Sequence, residues 1–380
     1  MSALATPLDV NFAISRPPLT LRTTHSRPDV ASIWQRLECR LRNTGLTNSW
    51  AWTDCWLNTY GSSIPHWFVI AERHGHPVGV ALVTRGRGQK RGPLPVRTVH
   101  LGTAGERPGD GVTVEYNRLL VEPASRASFL SLILGDPGIR RWSTDVLQLD
   151  GFAPEELVGA PGTILRRSEQ TCFSAMLTPG GPDVIETFDG QIRRKIRKNL
   201  KRFTESFGPL DLEWVTDTER AQVVMTELVA RHQARWTSAG MPGSFASGRF
   251  QQFHRAIVDR LVPDGRIVLC RVTAGETLVG IFYGFIESGV VYHYQWGLGQ
   301  FDDNSLSPGF VTGYLVMEAA RARGLTELNW LAGDTRYKRE MSNTTRTLVW
   351  GELGLSPWYA AVNGMITIKQ GVRGRNSCRG

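Results

Sequence analysis

The pattern of apolar and polar positions from residue 305 to residue 341 predicts a helix, a short buried strand and a polar loop in succession. Ser307 is expected at the N-cap of the helix and Pro308 at its first position. Gly309 has no side chain to keep a ligand from the backbone, and Gly324 ends the helix. Because free amide groups at a helix start favour anions, a phosphate or pyrophosphate site is predicted there.

The predicted strand after this helix stops at Gly333, and a polar loop follows it. Asp334, Tyr337 and Lys338 therefore lie just beyond the carboxyl end of a strand, where open α/β sheets bind their ligands. These three residues are the first candidates for chemistry at the predicted site.

The chain also contains a weak internal duplication. Each half has an isolated strand and helical segments, then a hairpin, and finally a helix that leads into a strand ending in glycine. The matching segments are 19–24 with 210–216, 67–85 with 266–285, and 144–151 with 326–333. Chance similarity between short apolar strands is the alternative explanation. The shared order of the elements favours two related domains.

Two α/β (α+β) domains are therefore predicted. The first is expected over residues 18–165 and the second over residues 166–366, with a connection at 151–170 and a basic, disordered tail at 367–380. In the first copy, the helix predicted at 121–134 lacks the Ser-Pro-Gly start. The anion site is therefore expected in the second domain, and the first is expected to be non-catalytic.

The formal net charge of +9 indicates a surface that attracts anions. Part of this charge lies in residues 191–202, which contain seven basic side chains and no acid. Apolar residues recur there at helical spacing, which predicts an amphipathic helix with a solvated basic face. The apolar positions are Ile192, Ile196, Leu200 and Phe203, and the basic side chains expected to stay solvated are Arg193, Arg194, Arg197, Lys198 and Lys201.

Composition favours a soluble, cytoplasmic protein. At 380 residues, with 41% hydrophobic residues and 12 tryptophans, the chain can build two cores. No secretory signal is recognised at the start, and no run approaches the roughly 18 apolar residues of a spanning helix. The five cysteines are scattered without CxxC spacing, which indicates reduced thiols and no metal site: Cys39, Cys55, Cys172, Cys270 and Cys378.

These elements together resemble a known family. A hairpin, the strand VVYHYQWGLG at 290–299, a Ser-Pro-Gly helix and a strand ending in Gly-Asp-x-x-Tyr-Lys are similar to the CelD group of GNAT-type acyltransferases. The basic helix and the His232-x-x-x-Trp236 helix are also similar to elements of that group. The resemblance implies tandem GNAT-like domains, each with a mixed, mostly antiparallel sheet flanked by helices, as in the FemABX peptidyltransferases. The CelD group is associated with the biosynthesis of cellulose and other exopolysaccharides.

The resemblance further implies acyl transfer to an amine, with acyl-CoA as the donor. In the GNAT pattern, the strand at 291–297, with Trp296 and Gly297, lines the acyl arm, and the backbone from Ser307 through Pro308 and Gly309 to Phe310 holds the pyrophosphate. The family's usual glutamine/arginine-x-x-glycine-x-glycine loop is absent. FDDNSLSPG stands in its place and puts Asp302 and Asp303 near the expected phosphate.

Three candidates follow the second predicted strand. Tyr337 can protonate the departing thiolate or bind substrate, or it can be a packed tyrosine with a hydrogen-bonded hydroxyl. Asp334 is a candidate base or a turn former. Lys338 can neutralise a phosphate or carboxylate, or it can be a surface charge.

The remaining candidates lie on helices. His232 and Trp236 share one helical face and can contact substrate, although a helical histidine is more often a packing residue. Arg194 and Arg197 can bind an anionic acceptor, or they can belong to a solvated face.

Three functions remain open. The first is an N-acyltransferase that uses acyl-CoA, such as acetyl-CoA, to modify an amine of a sugar, peptide or lipid precursor, with no metal, no DNA partner and no membrane span. The second is an aminoacyl-tRNA-dependent transferase of the same fold, with tRNA as its partner. The third is a non-catalytic protein that binds an anionic metabolite. HExxH, Walker A and GxSxG motifs are absent, and Gly86 and Gly88 lack the following helix of a dinucleotide site.

Overall fold

A computed structural model describes residues 18–41, 45–86, 90–91, 94–136, 139, 144–159, 164–361 and 363–364. Its strands are β1 (Thr20–Thr24), β2 (His66–Arg73), β3 (His76–Arg85), β4 (Lys90–Arg91), β5 (Leu94–Pro95), β6 (Thr98–Leu101), β7 (Leu120–Val121), β8 (Val146–Phe152), β9 (Ile164–Met176), β10 (Leu210–Trp214), β11 (Ile267–Ala274), β12 (Thr277–Glu287), β13 (Val290–Leu298), β14 (Glu327–Ala332) and β15 (Thr344–Gly354). Its helices are α1 (Arg27–Leu41), α2 (Trp50–Tyr60), α3 (Arg126–Gly135), α4 (Gly190–Phe207), α5 (Thr218–Ser238), α6 (Gly248–Leu261), α7 (Pro308–Ala322) and α8 (Arg336–Glu340).

One mixed sheet runs through both halves of the chain. Among the described residues it contains 13 strands in the order β1-β2-β3-β6-β8-β15-β9-β14-β13-β12-β11-β10, with β7 paired to β3. Most neighbours are antiparallel, but β6 pairs with β8 and β13 pairs with β14 in parallel. Strands β9 and β15 lie at the centre and join the two halves.

The duplicated segments occupy equivalent positions in this sheet. β1 and β10 are the two outer strands, β2–β3 and β11–β12 are the adjacent hairpins, and β8 and β14 are the strands that follow α3 and α7. Each of the last two receives a parallel neighbour, β6 or β13. The repeat in the sequence therefore corresponds to a repeat in the topology.

Alternating side chains of β12 separate the two layers of the second half. Tyr283 and Phe285 pack with α2, α5 and α6 in one core, whereas Phe282 packs with α4 and α7 in another. The basic helix is confirmed as α4, and its buried stripe contains Ile192, Ile196 and Phe203.

The predicted connection at 151–170 is partly wrong. β9 begins at Ile164, and its residues Ile164 to Gln170 pair with β15 from Leu353 to Leu348. This stretch reads as a loop because most of its side chains are polar and exposed, while its backbone is held by the central sheet. The tail predicted at 367–380 and Cys378 lie outside the described residues.

Candidate functional site

Strands β13 and β14 begin as parallel neighbours and then part. Their pairing covers Val290–Tyr292 with Glu327–Asn329, and it goes no further along either strand. On β13, the register with β12 shifts between His293 and Gln295, so that Tyr294 is left as an extra residue. On β14, Leu331 has a φ of 63°, a left-handed conformation that leucine rarely adopts. Both strands are therefore distorted where the gap between them opens.

Aromatic rings line one face of this gap, on the side of α4 and α7. Trp296 and Trp330 stack at 5.8 Å between ring centroids, and Tyr337 meets them edge-on at 6.3 and 6.0 Å. His293 lies 4.4 Å from Trp296, and burial lowers its pKa well below the usual value. At neutral pH the histidine is therefore uncharged, and the wall of the gap is apolar.

Tyr337 stands at the mouth of the gap, as its position after β14 predicts. Burial raises the pKa of its hydroxyl, and hydrogen bonds with Trp296 and Thr335 offset this only in part. The hydroxyl therefore carries its proton at neutral pH and can act as a hydrogen-bond donor.

The start of α7 lies beside the gap. Ser307 occupies the N-cap position, but its hydroxyl makes no capping bond, which corrects the predicted role of this side chain. Its amide instead donates to Oδ1 of Asn199 at 2.7 Å, and the amide of Phe310 donates to the Ser307 carbonyl at 3.0 Å. At Gly309, the nearest atom to an added Cβ would be Leu298 Cδ1 at 3.6 Å. The backbone at Gly309 is therefore open to a ligand on that side.

One face of α4 gives this helix start a positive surrounding. Lys195 Nζ lies 3.8 Å from the centre of the Phe310 ring while it pairs with Glu340 at 2.6 Å, and Arg202 donates to the Ser305 carbonyl at 3.4 Å. Lys198 shares this helical face by its spacing and is exposed. The basic side chains and the positive end of the helix dipole together favour an anion at this position.

The two acidic residues of the preceding loop reduce the positive potential at this helix start only weakly. Asp302 and Asp303 are both exposed, and Asp303 accepts from the Ser305 amide at 2.8 Å. Hydrogen bonds from Ser305 lower the pKa of Asp303. The Asp303 carboxylate therefore stabilises the turn that contains it, and solvent screens its charge.

The sequence did not identify Lys195 and Asn199 as site residues. Asn199 is buried on the apolar stripe of α4, three positions after Ile196, and a polar residue in such a stripe is the signal that could have found it. By contrast, Arg194 and Arg197 are exposed, and Arg197 pairs with Glu186 at 2.6 Å on another side of the helix.

Gly297 lies where α5 packs closely against β13. A Cβ at this position would lie 3.0 Å from Leu228 Cα and 3.1 Å from its carbonyl oxygen, so the glycine allows α5 to approach β13. The side of Gly297 on which a Cβ would lie therefore faces α5.

We expect Gly297→Ala to destabilise the protein by about 1–3 kcal/mol, because backbone atoms of α5 must move to admit the methyl group. Gly309→Ala meets only an ordinary contact and should change stability by less than about 0.5 kcal/mol. Urea unfolding of both variants measures the difference. Equal stability of the two variants would show that α5 does not pack tightly on β13.

Lys338 holds the end of β14. Its Nζ donates to the carbonyls of Leu331 at 3.3 Å and Ala332 at 2.6 Å, and burial lowers its pKa. Asp334 is exposed and pairs with Arg339 at 3.3 Å. Lys338 is thus tied to the distorted segment of the gap, whereas the contacts of Asp334 are with a surface arginine.

His232 and Trp236 do share a helical face, with ring centroids 5.9 Å apart. His232 is buried, stands edge-on to Phe245 at 5.0 Å, and has its pKa lowered by burial. These contacts favour the packing role for His232. Trp236 is 39% exposed and lines a cavity of about 490 Å³ beside the loop at 106–111.

On the other face, a segment of the N-terminal half crosses the gap. The Thr113 amide donates to the Tyr294 hydroxyl of β13 at 3.1 Å, and the Ala332 amide of β14 donates to Oε2 of Glu115 at 2.6 Å. Asn329 of β14 donates to the hydroxyl of the next residue, Tyr116, at 2.6 Å. Residues 113–116 therefore bridge the two strands where they part.

Within the described residues, no group of three or more His, Cys, Asp or Glu side chains is placed to hold a metal ion. In the same part of the chain, every helix is too short or too polar to cross a bilayer.

Residues 190–339 match the family described as an acetyltransferase (GNAT) domain. The matched region contains α4, α7, and the gap between β13 and β14, so the similarity to that family covers the elements of the candidate site. The predicted fold class, a mixed and mostly antiparallel sheet with flanking helices, is confirmed.

Solved structures share this fold over most of the chain. The crystal structure of FemX is 13% identical with a TM-score of 0.58, covering 90% of this chain and 100% of that one. The C-terminal domain of an Agrobacterium fabrum protein described as a lysylphosphatidylglycerol synthetase is 9% identical with a TM-score of 0.53, covering 90% and 96%. A conserved protein of unknown function from Bacteroides thetaiotaomicron VPI-5482 is 9% identical with a TM-score of 0.50, covering 88% and 100%. At these identities the likeness concerns the fold. No curated protein matches the chain.

Proposed function

We propose that the protein transfers an acyl group, most simply acetyl, from acyl-CoA to an amine. The observation that carries this proposal is the parting of β13 and β14 directly beside the open, positively surrounded start of α7. A gap between two strands can receive a narrow arm, and a helix start next to it suits the phosphates that such an arm carries.

The donor binds in two parts. The pyrophosphate of CoA lies against the backbone at Gly309, where Lys195 and Lys198 supply charge. The arm runs along β13 past Trp296 into the gap, which is apolar and suits a thioester. Because a thioester is already activated, the protein has to orient the reactants, remove a proton from the amine and stabilise the leaving sulfur.

Tyr337 is the group that assists the leaving sulfur in this proposal. Its protonated hydroxyl at the mouth of the gap donates a hydrogen bond as the carbon–sulfur bond breaks. No covalent enzyme intermediate is required.

The acceptor is an amine of a sugar, peptide or lipid precursor. The resemblance of the Gly-Asp-x-x-Tyr-Lys element to the CelD group supports a place in the biosynthesis of an exopolysaccharide or of the cell envelope.

The experiment that tests the donor uses Gly309→Leu. A Cβ at this position meets only an ordinary van der Waals contact, and a leucine side chain there is expected to cover the backbone that is proposed to hold the phosphates. We expect acetyl-CoA to bind the unchanged protein and to bind Gly309→Leu at least about tenfold more weakly, a loss of about 1.4 kcal/mol. Isothermal titration calorimetry measures both affinities.

Gly248→Leu is the matched control. Gly248 is also near a helix start, that of α6, and has nothing within 4 Å of an added Cβ. This variant should bind acetyl-CoA like the unchanged protein. If acetyl-CoA does not bind, or if charged tRNA raises the melting temperature and acetyl-CoA does not, the proposed donor is wrong.

A further inference from the structure

A cavity of about 500 Å³ lies between the two halves of the chain, on the face of the sheet opposite α7. Its wall is mainly apolar and includes aromatic side chains of both halves, namely Trp52, Tyr116, Phe285, Tyr292 and Tyr294. The cavity also reaches Glu115 and Leu331. It therefore meets the gap between β13 and β14 from the side that the proposed donor does not occupy.

The backbone at this meeting point is strained on both sides. Tyr116 has a φ of 55° and Leu331 a φ of 63°, and neither residue is a glycine. Asn329 holds both of them, since its Nδ2 donates to the Tyr116 hydroxyl at 2.6 Å and its Oδ1 accepts from the Leu331 amide at 2.9 Å. Left-handed conformations of this kind cost of order 1–3 kcal/mol each and persist where the surroundings enforce them.

Glu115 is held at the centre of this contact. Its Oε2 accepts from the Ala332 amide at 2.6 Å, and no described residue donates a hydrogen bond to Oε1. Lys338 binds the carbonyls of residues 331 and 332, so the carboxylate and the ammonium hold the same short stretch of β14. Burial raises the pKa of Glu115. A carboxylate with a raised pKa and an oxygen free to bind accepts a proton more readily than an ordinary carboxylate.

Arg118, Glu155, Glu287 and Arg346 are the other charged residues of the wall, and the structure shows ion pairs for the last two. Arg346 donates to Glu327, which is buried, and Arg266 donates to Glu287. These pairs leave a mainly aromatic wall with Glu115 beside the gap. An ammonium group on an apolar body fits a wall that is mainly apolar and presents aromatic faces beside a carboxylate.

We infer that this cavity receives the acceptor, a primary amine carried on an aromatic or other apolar body, and that Glu115 of the N-terminal half accepts its proton. The inference rests on the proposed acyl transfer and narrows its acceptor from sugar, peptide or lipid precursors to those with an apolar body. It assigns the first half of the chain a direct part in the reaction, where the sequence alone predicts a non-catalytic domain.

The ammonium of the acceptor gives one proton to Glu115, and the free nitrogen forms a bond to the thioester carbon. The carbon–sulfur bond breaks, and the sulfur leaves as a thiolate with the electron pair. The second proton leaves the nitrogen and neutralises the thiolate through solvent, and Glu115 releases its proton to water.

The test compares the unchanged protein with Glu115→Gln. The amide oxygen of glutamine can still accept from Ala332, but it cannot take a proton. With acetyl-CoA and 2-phenylethylamine, we expect kcat to fall about hundredfold in Glu115→Gln, with the KM for acetyl-CoA unchanged. The acid limb of the pH–rate profile should be present in the unchanged protein and absent in the variant. Glu276→Gln, in the exposed turn between β11 and β12, is the control and should retain the rate and the profile.

The acceptor class is tested with glucosamine in the same assay. We expect kcat/KM for 2-phenylethylamine to exceed that for glucosamine at least tenfold. Three results would overturn the inference even if acetyl-CoA binds: glucosamine is the preferred acceptor, neither amine is acetylated, or Glu115→Gln keeps its rate. In each of these cases the proposed donor still stands. If acetyl-CoA itself does not bind, the proposed function fails first.

Discussion

Replacing Tyr337 by phenylalanine is expected to lower kcat about hundredfold while leaving the affinity for acetyl-CoA unchanged. The ring keeps its edge-on contacts with Trp296 and Trp330, so the gap keeps its shape. The variant loses the hydroxyl that donates to the leaving sulfur. Because this bond strengthens as charge develops on sulfur, its loss affects the transition state more than the bound donor.

Steady-state kinetics and calorimetry of the Tyr337→Phe variant measure the two quantities. A second indication comes from thioesters with leaving thiols of different acidity, since the loss should be smallest for the most acidic thiol. A kcat within twofold of the unchanged protein would assign Tyr337 to packing, the alternative that the sequence leaves open.

Replacing Arg346 by methionine is expected to destabilise the fold by about 2 kcal/mol at neutral pH. Arg346 donates to both carboxylate oxygens of Glu327, which is buried beside the parallel pairing of β13 and β14. Removing one partner of a fully buried pair costs about 3–5 kcal/mol, and the smaller figure reflects the solvent that reaches Arg346. Arg336→Met is the control, because Arg336 pairs with Glu340 at the surface and should contribute less than about 0.5 kcal/mol.

The effect of Arg346→Met should depend on pH. Burial would raise the pKa of Glu327, but the hydrogen bonds and charge of Arg346, together with hydrogen bonds from Ser174 and Asn329, outweigh it and hold this pKa below the ordinary value of 4.5. A carboxylate with a lowered pKa stabilises the fold above its unfolded pKa, and this contribution is lost as the pH falls through the folded value. Urea unfolding should therefore give the full difference at pH 7 and a smaller one below pH 4.5. A difference that stays constant over this range would contradict the ion-pair explanation.

The sequence predicts the elements that depend on local patterns. The hairpins β2–β3 and β11–β12, the basic helix α4 and the helix start at Pro308 each depend on neighbouring residues, and each lies where its pattern indicates. The repeat also predicts the matching positions of β8 and β14. These features follow from periodicity and turn chemistry.

Local sequence patterns do not predict the contacts across the sheet. Glu115 and Ala332 are 217 residues apart, and no spacing in the chain relates them. Serine commonly caps helices, yet the Ser307 hydroxyl makes no capping hydrogen bond. The Ser307 amide instead donates to the side chain of Asn199. Polar residues of β9 read as a loop because the pairing with β15 uses only their backbone. In each case tertiary hydrogen bonds decide what local preference leaves open.

Hydrogen exchange with saturating acetyl-CoA is the most direct test that the donor lies in the gap and against α7. We expect slower exchange at the amides of residues 309–313 and along β13 from residue 293, and no change at the start of α6. Unchanged exchange at both segments, or protection confined to another part of the chain, would contradict this placement of the donor.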